Sequence, residues 1–515
     1  MMPSWSRFFR LRAALLAGAA LAAWSAAAGG AAPPRTLLLV DDHDVLYRSG
    51  TRRVLHPVQR RPEPVLTQER PWEITLAYNS VLRDPATGRY RMWYQALGSV
   101  SPESAGIAYA ESDDGVRWRK PDLGLVPYQG GDSNLVLALA EGHYGASVVF
   151  DPRDPDPDRR YKLACFRAGE VAGRRVMGLA AGFSPDGLRW RLDPEFPLLP
   201  GNYGRRSAPP LAGDAAYEGG VPHSVSDVID VMYDAPRGVF AIYAKTWLDM
   251  PEGLTFWKRA IARTESRDFR QWSRPVLVMQ PDEFDGDGVE YRPPVRPVHP
   301  NRRGVQLHGG PVFLHEGVYF ALLQKMDGET TGRMPIELAV SRDGLDWQRP
   351  FRAVDFIGLS PEPDRFDSGC LWTNATPVVL EDEIRFYYGG YSGRWNGDLL
   401  RRPSGIGLGT IPRDRFAGVR PIGEVGQVTF RPLDLGGRET LTVNAAVAGR
   451  LRVEVLDERG YGLPGFTRDD AVPVTGDALR HAVRWKEKTL RDLPAGRKML
   501  RVHLEDAELF AVSLR

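Results

Sequence analysis

The sequence predicts an all-β chain, a five-bladed β-propeller followed by a C-terminal β-sandwich, and three observations predict it. First, a seven-residue box recurs: SDDGVRW at 112–118, SPDGLRW at 184–190, SRDGLDW at 341–347, and a degenerate SRDFRQW at 266–272. Second, each box follows a short alternating strand: GIAYAE (106–111), VMGLAAGF (176–183), RAIARTE (259–265) and IELAV (336–340). Third, five hairpins recur in step with the boxes, each a β-branched strand, a turn and an aromatic-rich strand. They are SVLRDPATGRYRMWYQ (80–95), SVVFDPRDPDPDRRYKLACF (147–166), DVMYDAPRGVFAIYAK (230–245), PVFLHEGVYFALLQ (311–324) and PVVLEDEIRFYYGGY (377–391).

Units of this kind, repeated radially, close into a ring and so leave no long exposed sheet edge. Within the box, Asp caps backbone N–H groups, Gly takes a positive φ, and Trp folds back as an apolar plug. The fifth unit, GIGLGTIPRDRF (405–416), lacks a box, and the strand TLLLV (36–40) is expected to complete that blade. Beyond residue 417 the pattern changes to long alternating strands, such as 428–466, 481–488 and 498–515, which predict the sandwich. The expected boundaries are 36–417 for the propeller and 425–515 for the sandwich.

The first residues stand apart. Arg7, Arg10 and Arg12 precede an Ala/Leu-rich run to Ala28, followed by small residues and Pro33-Pro34. This predicts a secretory signal peptide over 1–32 and a secreted or periplasmic mature chain with no stable membrane span. A formal net charge of +2 without a basic block gives no support for nucleic-acid binding. Two cysteines, Cys165 and Cys370, rule out a multi-disulfide scaffold or a cysteine-based zinc site. No HExxH, GxSxG or phosphate-binding glycine loop occurs, which disfavours zincin, serine-hydrolase and nucleotide-dependent chemistry.

These features, with LLLVDDHDVLYRSGTRRVLH (37–56) and EPVLTQERPWE (63–73), resemble the five-bladed glycoside hydrolases related to families 32 and 43. The resemblance implies three carboxylates at the channel, each from a different blade, acting on a carbohydrate substrate without a cofactor. Such chemistry needs an anion on one face of an oxocarbenium-like transition state and a proton donor at the leaving oxygen. The family motifs are not reproduced residue for residue. There is no WMNDPNG-like start; Tyr78-Asn79 occupy the first acid's place; Val228, one past Asp227, occupies the stabiliser's; and Gly309-Gly310-Pro311-Val312 follow His308 where EGPH would stand.

Candidates are therefore taken from the starts of the inner strands, where Asp227, His308 and Asp367 break the repeat, from the acidic loop that ends in Glu290, and from Asp41-Asp42, where the resemblance implies the opening strand's nucleophile or base. Asp227, Asp367, Asp42 and Glu290 are the expected catalytic carboxylates, with Asp41 weighed beside Asp42. Trp72, Glu73, Tyr78, Tyr144, His308 and Asn374 are the expected sugar-binding residues, with Asn134 and His143 as weaker candidates. The acidic loop 282–290 fails EF-hand spacing, so no metal is assigned, and only a looser calcium site is left open there. The alternative to a glycosidase is a non-catalytic carbohydrate-binding propeller.

Overall fold

The computed structural model describes residues 34–97, 104–141, 144–201, 225–248, 258–282, 284–285, 304–328, 331–394 and 402–515. Apart from short 3₁₀ turns such as Pro157–Arg159 and Leu490–Asp492, its regular structure is β. Five antiparallel sheets follow one another along the chain and form a five-bladed propeller.

Blade one pairs Thr75–Arg83, Tyr90–Leu97, Ser104–Ser112 and Leu135–Glu141 in that order. Blade two begins with Tyr144–Phe150, Tyr161–Val171 and Arg174–Ser184. Blade three is Ile229–Asp234, Val239–Leu248, Lys258–Ser266 and Val276–Met279. In blade four the innermost position is split between Val305–Leu307 and Val312–His315, both paired with Val318–Asp327. Ile336–Ser341 and Trp347–Gln348 complete it. Blade five runs from Cys370–Thr373 through Glu383–Tyr391 to Ser404–Pro412.

The inner strands are bonded to one another around the axis. The Ser80 hydroxyl accepts from Val148 N–H at 2.9 Å, and Ser147 accepts from Val231 N–H at 2.8 Å. Val81 N–H donates to the Thr376 hydroxyl at 3.2 Å, joining blade one to blade five. Small polar residues suit this place because each satisfies a backbone donor that no neighbouring strand reaches.

Ring closure departs from the sequence expectation. The fifth blade is completed on its outer edge by Gln59–Arg60 and Leu66–Thr67, both paired with Ser404–Pro412. The segment expected there, TLLLV, instead forms Arg35–Leu38 paired with Met499–Leu514. The apolar run was read correctly as a strand, but sequence pattern does not name a strand's partner. That partner belongs to an eight-stranded antiparallel sheet built from both ends of the chain. Val45–Ser49 and Thr51–Leu55 join it near the N-terminus; Ala417–Pro421, Val425–Phe430, Leu441–Leu456, Val474–Ala482 and Met499–Leu514 join it near the C-terminus. Its core includes Leu37, Val45, Val443, Val453, Trp485 and Val502, and a second cluster packs Leu38, Val40 and Ala511 against blade four and blade five residues such as Phe320 and Phe386.

The boxes seal the seams between blades. In the first, Ser112 Oγ accepts from Gly115 N–H at 2.9 Å, and Asp114 Oδ1 accepts from the N–H groups of Val116 and Arg117 at 2.8 Å. The same bonds recur at Ser184/Asp186 and Ser341/Asp343. The preceding blade then reaches into each box. Tyr387 of blade five donates to Gly115 O at 2.8 Å, Trp93 of blade one to Gly187 O at 2.6 Å, and Tyr243 of blade three to Gly344 O at 2.9 Å. A Cβ on Gly187 would stand 2.7 Å from the Trp93 ring, so glycine is required by close approach as well as by its φ of +72°.

The degenerate third box shows the compensation. Phe269 stands in the glycine position at φ +65°, fully buried against Phe183, Phe240 and Trp272. The strand registers place Ala164 of blade two where blade one has Trp93, opening the volume that the Phe269 ring fills.

Candidate functional site

Antiparallel alternation puts the boxes, which follow the third strands, at the end of the ring where the inner strands finish. The opposite end, where the inner strands begin, gathers a set of buried polar and aromatic side chains from four blades.

Blade three supplies a buried ion pair. Asp227, at the entry to Ile229–Asp234, accepts from Ser226 Oγ at 2.9 Å and pairs with Lys245 from the next strand. Burial drives the Lys245 pKa down to about 8; Arg259 pushes the same way and Asp227 opposes both. Lys245 and Arg259 both lie over the Trp247 ring, at 5.5 and 4.9 Å from its centroid. Arg259 also donates to Gln306 Oε1 at 3.4 Å, tying blade three to blade four.

Blade four brings His308, fully buried, with Nε2 2.9 Å from the Tyr78 hydroxyl of blade one. Burial, and then the charges of Lys245 and Arg259, hold its pKa well below the ordinary imidazole value. The ring is therefore neutral at physiological pH and can exchange donor and acceptor roles with Tyr78. Tyr78 sits in an irregularity of the blade-one inner strand at φ +36°, a conformation unusual for a bulky residue and stored more often at functional sites than elsewhere. Its ring faces Trp372 of blade five at 6.2 Å, and Trp372 packs on Tyr391 at 5.9 Å. Ala77, Tyr78, Val228, Met326, Cys370 and Trp372 form one apolar cluster around the axis.

The structure thus brings together Asp227, Tyr78 and His308 of the residues expected from sequence. Asn374 lies on the adjoining inner ring, its amide donating to Ser80 Oγ at 3.0 Å. Tyr144 begins the blade-two inner strand, half-buried among the apolar residues between blades two and three. Glu290 and His143 lie outside the described residues.

The remaining candidates are placed elsewhere. Asp367 is buried, but its Oδ2 is taken by Arg60 Nη1 at 2.5 Å and by the Tyr388 hydroxyl at 3.1 Å, which makes it the anion of an internal ion pair within blade five. Asp42 is half-exposed on the eight-stranded sheet's side, bonded to Arg48 and Arg53, and Asp41 is clamped by Arg342 of the fourth box at 2.6 and 2.9 Å. A carboxylate that answers arginines of its own strand connection has no geometry for the channel, so Asp42 is corrected to a structural residue. Trp72 presents no open face: it is buried, donates its indole N–H to Asn134 Oδ1 at 3.0 Å and packs on Tyr128. Glu73 is equally committed, accepting from two backbone N–H groups, from Tyr94 at 2.5 Å and from Lys120 at 2.7 Å. Both were expected at the sugar; both brace the first blade.

Sequence reading missed Lys245, Trp247, Arg259, Gln306 and Trp372. The available signal was charge within apolar strands: Lys245 ends the run VFAIYAK, and Arg259 lies in RAIAR. A long cation in a strand buried on both faces needs a special partner. One group of potential metal ligands occurs among the described residues, His315, Glu316 and Asp414, where blades four and five meet, away from this site. Arg413 lies 3.7 Å from Glu316 and 3.9 Å from Asp414, so a protein cation already answers those carboxylates.

No family model matches the chain, and no curated protein matches it. Among solved structures it is similar to an N-acetylgalactosamine deacetylase from F. plautii, at 15% identity and TM-score 0.43, covering 70% of this chain and 96% of that one. It is similar to the catalytic domain of a Coprinopsis cinerea GH62 alpha-L-arabinofuranosidase, at 13% identity and TM-score 0.41, covering 70% and 98%. It is also similar to a Bombyx mori GH32 beta-fructofuranosidase, at 9% identity and TM-score 0.40, covering 88% and 94%. The five-bladed ring stands on the strand pairings themselves.

Proposed function

We propose that the protein is a secreted glycoside hydrolase, related to families 32 and 43, acting on a polysaccharide or oligosaccharide at the end of the ring where the inner strands begin. The observation that carries this reading is the Asp227–Lys245 pair set beside the neutral His308–Tyr78 pair and the indoles of Trp247 and Trp372. Asp227 supplies the anion that an oxocarbenium-like transition state requires, with Lys245 as its buried ion-pair partner. His308 and Tyr78 hydrogen-bond and orient sugar hydroxyls, and the indole faces suit the apolar face of a pyranose or furanose. Glu290 is the proposed general acid. Residues 425–515, whose strands belong to the eight-stranded sheet, are the proposed C-terminal sandwich, and the Arg-led N-terminal segment the leader that directs export.

The test is a pair of variants. Asp227→Asn is expected to lower release of reducing ends from the active glycan by about 100-fold or more. It also strands Lys245, so a stability loss of about 3–5 kcal/mol accompanies it. Asp227→Asn combined with Lys245→Met is expected to recover most of that stability and none of the activity. Activity returning with the stability would remove Asp227 from the chemistry.

A second reading has its own observation. Of the expected carboxylates that lie among the described residues, Asp42 and Asp367 are paired with arginines away from the cluster, and Asp227 is paired with Lys245. That favours a non-catalytic carbohydrate-binding propeller. Glycan binding by the wild type with no released reducing ends, at any pH between about 4 and 9, would decide for it.

A further inference from the structure

Asp230 lies on the innermost strand of blade three, three residues beyond Asp227. It is fully buried, and among the described residues neither carboxyl oxygen has a hydrogen-bonding partner. Its neighbours Val228, Ile229, Val231 and Met232 are apolar and buried. The ionisable groups on the strands packed against it are committed elsewhere. On blade three, Tyr243 opposite it is bonded to Arg263 and Gly344 O, Lys245 is paired with Asp227, and Asp234 accepts from Arg263 and Tyr319. On blade two, Tyr161 accepts from Arg91, Lys162 bonds Asp154 and Arg159 O, Arg167 lies over Phe196, Cys165 is a buried thiol, Tyr144 begins the inner strand opposite Phe166, and Glu170 lies opposite Arg175. On blade four, His315 is bonded to Asp414. None of these acts on Asp230, and burial alone raises its pKa well above the carboxylate range.

We propose that Asp230 is a pH-sensitive lock on the inner strand of blade three: the ring packs around it only while the side chain keeps its proton, and ionisation loosens the strand whose entry carries Asp227. An unpaired charge at this place cannot be solvated without moving the strand, because every side chain adjoining it is apolar or already bonded. The stability half of this inference stands alone; the activity half rests on the function proposed above.

The sign follows from linkage. A carboxyl whose folded pKa is raised contributes its full stability below the unfolded value near 3.8, and loses it as pH rises towards the folded pKa. Across that window the unfolding equilibrium of wild type should shift by up to about tenfold per pH unit relative to a chain without the group. The experiment is urea unfolding of the full chain at intervals from about pH 4 to pH 9 for wild type, Asp230→Asn and Asp230→Leu. Convergence of wild type with the variants at acid pH, and its progressive loss of stability relative to them above, is the expected result. Parallel curves overturn the lock. So does a wild type more stable than both variants at every pH, because the carboxylate would then be holding a cation or a donor in solution. In the activity arm, Asp230→Asn should extend turnover to higher pH. If no glycan is turned over by any form, the proposed function falls while the unfolding curves still decide the lock.

Discussion

At the end of the ring where the boxes lie, Asp114, Asp186, Asp268 and Asp343 are half-buried or exposed, and each accepts backbone N–H groups of its own turn. At the opposite end, Asp227 and Asp230 are buried, Asp230 takes the place that Ser80 and Ser147 hold in blades one and two, and Asp227 is held by a lysine while Asp230 has no hydrogen-bonding partner among the described residues. The residue type is the same and the consequences are opposite. At Asp114 the two backbone donors lower the pKa; at Asp186, Asp268 and Asp343 burial works against ionisation, but the donors win, and Asp186 is held at about 2. At Asp230 burial meets no donor and the pKa rises. An aspartate's position in the repeat thus decides whether the donors of its own turn or burial on an inner strand sets its ionisation.

Three changes would sharpen or break this contrast, and the largest falls on the box. Gly187→Val places a branched side chain at φ +72° against Trp93 and Tyr161, and the chain is expected not to fold, read as loss of soluble protein and of the cooperative unfolding transition. A soluble, wild-type-like variant would show that the seam yields easily. Next is Phe269→Gly, which restores the consensus box where blade two offers only Ala164. The emptied volume costs about 3–5 kcal/mol, and relief of the left-handed backbone returns about 1–2 kcal/mol. A net loss of roughly 2–3 kcal/mol in urea unfolding is expected, and the further change Ala164→Leu should recover part of it. No loss would mean that the Gly-to-Phe exchange is not compensated across the seam.

The smallest effect belongs to the box aspartates. Asp343→Asn weakens two turn hydrogen bonds and should cost about 1 kcal/mol, with activity on any glycan unchanged. Its pH signature runs opposite to that of Asp230. A carboxyl with a lowered pKa gives stability that is present above the unfolded value near 3.8 and is lost as pH falls towards the folded value. Wild type and variant should therefore converge in acid, where wild type and the Asp230 variants also meet. A loss of turnover in Asp343→Asn would return the boxes to consideration as a site.

The legibility of the two ends differs for the same reason. The box is a local object: Ser, Asp and Gly satisfy one another within five residues, so its turn, its repetition and the count of blades could be read from the chain. Asp227, His308 and Asp367 stand out in the chain because they break the repeat at the starts of inner strands, but which cation meets each carboxylate is seen only in the fold. Trp72 and Glu73 were misjudged because an aromatic beside an acid looks the same whether it meets a sugar or meets Asn134 and Lys120. Lys245 and Arg259 were missed because Lys245 ends the apolar run VFAIYAK and Arg259 opens RAIAR, and only the packing of blade four on blade three brings them together.

By itself the sequence determined the strands, the turns between them and the five-fold repeat, since these depend on alternation and on bonds a few residues long. Tertiary structure alone decided which strand completes the fifth blade, which aspartates are neutralised by arginines from elsewhere, and that Asp230 is buried with no hydrogen-bonding partner among the described residues. Those outcomes depend on groups tens to hundreds of residues apart, and the free energy of a buried charge is set by what surrounds it in space rather than by its neighbours in the chain.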